Sequence, residues 1–196
     1  IELNDTERHG LRFDYKGFPD KFIGINITRK GELGPITISS TAYVTNIGNN
    51  QKFRQFLPAN WEKINTPSDS KVVLSMWDCP TRAEAQAAMS RRPYNELLGC
   101  LWYLACSTRP DICHATSVAA RYMANPGEKP FRALVRIYAY VINTSDLGIT
   151  YDSSRGCRLP GQELINFTDT DWGSDPDTRR STTAGLWHYN KGLVHW

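Results

Sequence analysis

A chain of 196 residues, 40% of them apolar and 22% charged, can bury a real core, which excludes a disordered or low-complexity polymer. Its net charge of +3 is a mild basic excess that permits a nucleic-acid partner without pointing to one, so the placement of the charges carries the information. The cysteines number 5, an odd count with no Cys-x-x-Cys pair; Cys100, Cys106 and Cys113 fall inside helical patterns and read as buried thiols, which favours a reducing compartment.

In that compartment the glycosylation-type triplets at Asn26, Asn143 and Asn166 are chance matches. No apolar run is long enough to cross a bilayer, because Arg136 interrupts the best candidate, and no signal peptide is visible. The expected location is cytoplasmic or nuclear, not secreted, with no membrane partner. The chain starts at Ile1 and stops at Trp196 directly after a strand-like run, so both ends read as cut.

The first elements are a helix tail near residues 11–15 and a turn at Gly17-Phe18-Pro19. Residues 21–28 favour a strand, Arg29-Lys30-Gly31-Glu32 a turn and residues 36–38 a return strand, together a hairpin. Residues 41–56 show one apolar face at Tyr43, Val44, Ile47, Phe53 and Phe56, interrupted at Gly48-Asn49-Asn50. Residues 57–75, with Pro58 and Pro67, read as a linker crossing the surface. Residues 81–92 predict a helix opened by a capping box of Thr81 and Glu84, and its alanines imply close helix packing.

Tyr94, Leu97, Leu98, Leu101, Leu104 and Ala105 then repeat at helical spacing. Thr108-Arg109-Pro110-Asp111 restarts the chain, with Thr108 as cap, Pro110 in the first turn and Asp111 bonding back from three residues on. Ile112, Ala115, Ala119, Tyr122 and Met123 make the face of that helix, which Asn125-Pro126-Gly127 ends. Residues 129–142 predict a further helix, buried through Phe131, Leu134, Val135, Tyr138, Val141 and Ile142. Lys129, Arg132 and Arg136 share another of its faces, which fits a solvated surface and a phosphate contact equally. From Asp146 the period becomes strand-like, which places a boundary near residue 145. A turn region at residues 158–163 precedes three antiparallel strands, at residues 164–172, 182–189 and 193–196, the last two joined by a tight turn at Asn190-Lys191-Gly192.

One carboxylate cluster looks like a site: Phe167-Thr168-Asp169-Thr170-Asp171-Trp172. On a strand, Asp169 and Asp171 would share the face of Ile165 and Phe167. Carboxylates on a core face need a cation or hydrogen bonds, and magnesium is the hard ion that oxygen ligands take. Spacing alone favours the other reading, in which the strand ends at Asp169 and both acids are solvated turn residues.

Five blocks carry a resemblance: Phe-Ile-Gly-Ile-Asn-Ile at residues 22–27, the segment from Tyr94 through Thr108-Arg109-Pro110-Asp111-Ile112, Thr168-Asp169-Thr170-Asp171-Trp172-Gly173-Ser174-Asp175, Arg179-Arg180-Ser181-Thr182-Thr183-Ala184-Gly185, and Gly192-Leu193-Val194-His195-Trp196. In this order they resemble copia-type LTR retrotransposon polyproteins, from the end of the reverse transcriptase palm into the ribonuclease H domain. Asn95 stands where that family has Arg, and the basic run of residues 136–141 lacks the family's second Arg.

The resemblance implies an α+β chain in which a β-hairpin and a helical thumb and connection region precede the first antiparallel strands of an RNase H-like sheet. Its segments are 1–75 (end of palm, hairpin and thumb start), 76–145 (helical connection) and 146–196 (truncated RNase H-like strands). It further implies RNA–DNA or DNA template–primer duplex and the remainder of the polyprotein as partners. Arg29, Lys30, Lys129, Arg132 and Arg136 become candidate nucleic-acid contacts, and Asp169 a catalytic ligand of Mg2+ in the complete parent enzyme. No Asp-Asp pair occurs in these residues and the other acids of an RNase H set are not among them, so this chain alone is expected to lack both activities and to bind Mg2+ weakly. Two alternatives stand beside it: a non-catalytic, domesticated or decayed interaction module, and a metal-dependent sugar transferase using Asp169-Thr170-Asp171, which has no nucleotide-binding βαβ unit before it.

Overall fold

The computed structural model describes residues 17–32, 34–152 and 164–196. The helix tail expected near residues 11–15 and the turn region expected at residues 158–163 lie outside them. The fold is α+β, with two antiparallel sheets and a helical core.

Residues 21–28 form two strands rather than one. β1 (Lys21–Phe22) and β2 (Ile25–Arg29) pair across a turn in which Ile23 (φ 47°) and Gly24 (φ 80°) both take left-handed backbone. Two positive φ values in a row match the twist of a two-residue hairpin, and only the glycine adopts one without strain. The apolar letters on both sides hid that turn. The Tyr103 hydroxyl donates to the Ile23 carbonyl at 2.6 Å and ties the turn to the helical core. β2 pairs with β3 (Ile36–Ser39).

α1 (Thr41–Asn49) and α2 (Gln51–Arg54) are split at Asn50, whose side chain accepts from the Lys52 N–H and so starts the second helix. α3 (Ala83–Ser90) begins after Arg82 with no side-chain cap, so the capping box expected from Thr81 and Glu84 does not form. Its alanines are exposed and only Met89 is buried, which overturns the expected close packing. A capping box occurs instead at Ser75 and Asp78, where the chain makes a single 3-10 turn.

The core is built by α4 (Tyr94–Ser107), α5 (Cys113–Ala120) and α6 (Glu128–Asn143). Leu97, Leu101, Leu104, Ile112, Ala119, Leu134, Tyr138 and Val141 are all buried there, each larger side chain contributing about 1.5–3 kcal/mol by leaving water. Buried hydroxyls need partners, and they find backbone: Tyr94 donates to Ala119 O at 2.8 Å and Tyr138 to Ile47 O at 2.9 Å. Burial pushes the Tyr138 hydroxyl up to about 12. Four expected core members are not fully buried. Met123 is half exposed, because the chain leaves the helix at Arg121. Cys106 is exposed and Cys100 only partly covered, since on α4 they fall beside the leucine stripe rather than on it, and Cys113, at the start of α5, is also only partly covered.

Thr108 does not cap a new helix. It ends α4, and its hydroxyl donates to Ser40 Oγ at 2.8 Å, while Asp111 is drawn to Arg109 instead of bonding back. A guanidinium two residues away outcompetes a backbone N–H for the Asp111 carboxylate.

After α6 the chain turns at residue 145 and returns: β4 (Gly148–Tyr151) pairs with β3, giving the order β1-β2-β3-β4. The second sheet has the order β5 (Ile165–Thr170), β6 (Thr183–Tyr189), β7 (Gly192–His195), all antiparallel as expected. Its hairpin turns on Asn190 (φ 48°) and Lys191 (φ 65°), and Gly192 opens β7 where the Tyr151 ring leaves no space for a side chain. Tyr151 donates to Leu193 O, and the Trp196 indole N–H to Ala105 O, both at 2.7 Å, which fastens the second sheet to β4 and α4.

Gly127, just before α6, shows how closely the turn at residues 75–79 approaches. A Cβ there would sit 1.8 Å from the Asp78 carbonyl oxygen. Gly127→Ala is therefore expected to destabilise by about 1–3 kcal/mol through a forced backbone shift, read as a lower urea midpoint at unchanged m-value. An unchanged midpoint would refute this close approach.

Candidate nucleic-acid interface

The three cations of α6 do share a surface. Lys129, Arg132 and Arg136 line a cleft of about 1020 Å³ between α6 and the chain at residues 55–74, over a floor that includes Phe56, Leu74 and Phe131. Helical spacing put them on one face, and the amphipathic stripe of α6 turned that face outward.

Each of them already has a partner. Lys129 Nζ donates to Val73 O at 2.7 Å and pairs with Asp78 at 3.1 Å, so it holds the crossing segment to the helix. Arg132 Nε pairs with Glu128 at 2.9 Å, an exposed contact one helical turn away and worth a few tenths of a kcal/mol. Arg136 donates to Thr66 Oγ1 at 2.8 Å and lies 4.0 Å from Asp69, while its buried Nε has no hydrogen-bond partner among the described residues. Arg92 adds a fourth cation, paired with Glu128 at 2.6 Å and lying over the Phe131 ring. Sequence reasoning missed Arg92, because it lies two residues beyond α3 and only the fold brings it to α6. The cleft thus has donors for phosphate, most of them shared with acids that a polyanion would have to displace.

Arg29 and Lys30 lie on the first hairpin, at the end of β2, and are not lining residues of that cleft. Both are exposed. Arg29 stacks over Phe18 with 4.4 Å to the ring centroid and donates to Glu32 O at 3.0 Å; Lys30 has no acid partner among the described residues. Neither is paired with an acid among the described residues, so both stand open to phosphate from solvent.

Asp169 lies in β5, an edge strand, opposite Ala184 of β6. It is exposed, and its Oδ1 accepts from the Thr170 N–H at 2.9 Å. Asp171 falls just past the strand. It accepts from Ser174 Oγ and from the Thr182 N–H at 2.6 Å, and the Ser174 contact followed by the Thr182 N–H holds its carboxyl below the usual carboxylate range. The two acids are therefore neither buried on one face nor aimed at one point. Among the described residues no three His, Cys, Asp or Glu side chains gather as a metal-ligand group, so the acids around Asp169 do not by themselves fit a pair of magnesium ions. His114, on α5, is exposed.

A buried ionic network also went unread in the sequence. Arg109 is 1% exposed and forks onto Asp111, Nε to Oδ1 at 2.9 Å and Nη2 to Oδ2 at 2.8 Å. Its other donors reach Thr144, to the carbonyl at 3.0 Å and to Oγ1 at 2.7 Å, and Tyr140 donates to Asp111 at 2.8 Å. This network clamps the α4–α5 junction to the end of α6.

Among the described residues no helix is long and apolar enough to cross a membrane. No family model matches the chain, and no solved structure does. Known proteins do. The chain is 29% identical over 186 residues to the retrovirus-related Pol polyprotein from transposon TNT 1-94 of Nicotiana tabacum, covering 94% of this chain and 13% of that one. It is 33% identical over 103 residues to the Pol polyprotein from transposon RE1 of Arabidopsis thaliana, 53% of this chain and 7% of that one. It is 32% identical over 108 residues to secreted RxLR effector protein 161 of Plasmopara viticola, 55% of this chain and 72% of the effector. The chain thus spans a small part of the polyproteins it matches and most of the smaller relative. These relatives include copia-type Pol polyproteins, one of which aligns with nearly the whole chain, and they support a retrotransposon origin for it.

Proposed function

We propose that this chain is the thumb and connection of a retrotransposon reverse transcriptase followed by the first strands of its RNase H domain, and that its work is to grip a template–primer duplex through backbone charge. The observation that carries the reading is the alignment of 94% of the chain with a Pol polyprotein. The exposed pair Arg29 and Lys30 and the α6 cleft support it, because phosphate contacts position a duplex without reading its sequence. Magnesium belongs to the complete parent enzyme in this reading. Asp169 is its one ligand here, and the remaining polyprotein is the partner that completes the set.

A short RNA–DNA hybrid tests the grip. With about two to five phosphates neutralised, log K should fall with log salt at a slope of about −2 to −4.5. Replacing Arg29 and Lys30 together by Gln should make the slope shallower by about 2. A flat salt dependence would instead favour a non-catalytic interaction module. Primer extension or hybrid cleavage by this chain with magnesium would overturn the view that its catalytic sets are incomplete.

A further inference from the structure

Two tryptophans stand almost wholly in water: Trp77 is 94% exposed and Trp172 95%. Burial of an indole is among the larger gains a chain can make, so a pair left out calls for a ligand. The segments that carry them are fastened to each other. Asp177, in the loop at residues 171–182 that joins β5 to β6, accepts from Ser75 Oγ at 2.6 Å and from the Met76 N–H at 2.9 Å, beside Trp77. Arg121, just past α5, pairs with Asp175 of the same loop.

These contacts consume the loop's acids. Asp175 also accepts from the N–H groups of Asp177 and Thr178, and Asp171 is held by Ser174 and Thr182. Arg179 and Arg180, by contrast, have no side-chain partner among the described residues. Arg179 lays its guanidinium close to Gly173, the neighbour of Trp172: a Cβ at Gly173 would lie 3.9 Å from its Nη2. Arg180 lines a cleft of about 370 Å³ together with Met76, the neighbour of Trp77. An uncommitted guanidinium thus lies close to the residue next to each exposed tryptophan.

We infer that Trp77 and Trp172, with Arg179 and Arg180, form a stacking platform for the unpaired bases of single-stranded nucleic acid. The indoles take the faces of bases and the guanidinium groups take the phosphates between them. A duplex hides its base faces, so it does not satisfy this surface, and the free positive charge of Arg179 and Arg180 on it favours a polyanion over an apolar protein segment. This inference stands apart from the duplex grip, which uses other residues.

The test is fluorescence anisotropy of a labelled dT homopolymer about 15 nucleotides long, with a blunt duplex of the same length as control. Trp77→Ala and Trp172→Ala should each weaken dT binding about tenfold, Trp172→Phe should recover most of the loss, and all three should leave thermal stability and duplex binding unchanged. Arg180→Gln should lower the salt slope for the single strand by about 1. A wild-type chain that ignores dT, or a Trp77→Ala, Trp172→Ala double variant that binds it undiminished, would overturn the inference and leave a protein partner as the surface's occupant. Equal loss of duplex binding would also overturn it, since the platform would then not distinguish unpaired bases.

Discussion

Arg109→Met is expected to lower the unfolding free energy by about 3–5 kcal/mol, the largest polar effect in the molecule. The guanidinium is buried, and its removal leaves Asp111 with the Tyr140 hydroxyl but without its counter-charge, and takes a donor from both oxygens of Thr144. Arg109→Lys should recover little, because one ammonium cannot reproduce a fork to Asp111 and two further bonds to Thr144. A double cycle with Asp111→Asn, read by urea unfolding, should give a coupling of more than about 1 kcal/mol. Near-additive losses would show that the pair is not a unit.

The same network sets an acid limb. Burial works to raise the Asp111 carboxyl, but the hydrogen bond and charge of Arg109, then the Tyr140 hydroxyl, outweigh it and leave the group below its ordinary value. A carboxyl with a lowered folded pKa stabilises fully above its unfolded value of about 3.9, and that stability drains as pH falls through the lower folded one. Wild-type stability should therefore drop more steeply below about pH 4 than that of Asp111→Asn, which has no such group to protonate. Parallel acid limbs would contradict this.

Phe131→Ala is the second large effect, at about 3–5 kcal/mol. Phe131 is 2% exposed and meets Phe56 edge-on, with 5.0 Å between centroids, and Tyr94 at 6.4 Å. Arg92 covers its ring. Truncation removes the floor of the α6 cleft as well as core area, so the segment at residues 55–74 should gain hydrogen exchange along with the global loss. Phe131→Leu should cost far less, and a small loss from Phe131→Ala would mean that the site collapses freely.

Long periodic stretches were the legible part. α4 and α6 appear within about one or two residues of their expected spans, since stripes such as Leu97, Leu101 and Leu104 dictate both the helix and its buried face. The three late strands were legible for the corresponding reason, a period of two bounded by turn residues. The hairpin inside residues 21–28 was not, because Ile23 is a poor letter for a left-handed turn and tertiary contact from Tyr103 holds it there. The exposed alanines of α3 were misread for want of a partner, a matter that no local pattern records.

The chain's letters were enough for its α+β class, its helical core and its kinship with retrotransposon polyproteins, because periodicity and ordered motifs are properties of neighbours along the backbone. Which cations are free and which are spent is a different kind of fact. Lys129 and Arg136 look identical to Lys30 in sequence, yet their partners Asp78, Thr66 and Asp69 lie more than 50 residues away along the chain. Arg109 likewise meets Thr144 from 35 residues away. Pair energies depend on distance and burial in space, and only folding brings those groups within reach of one another.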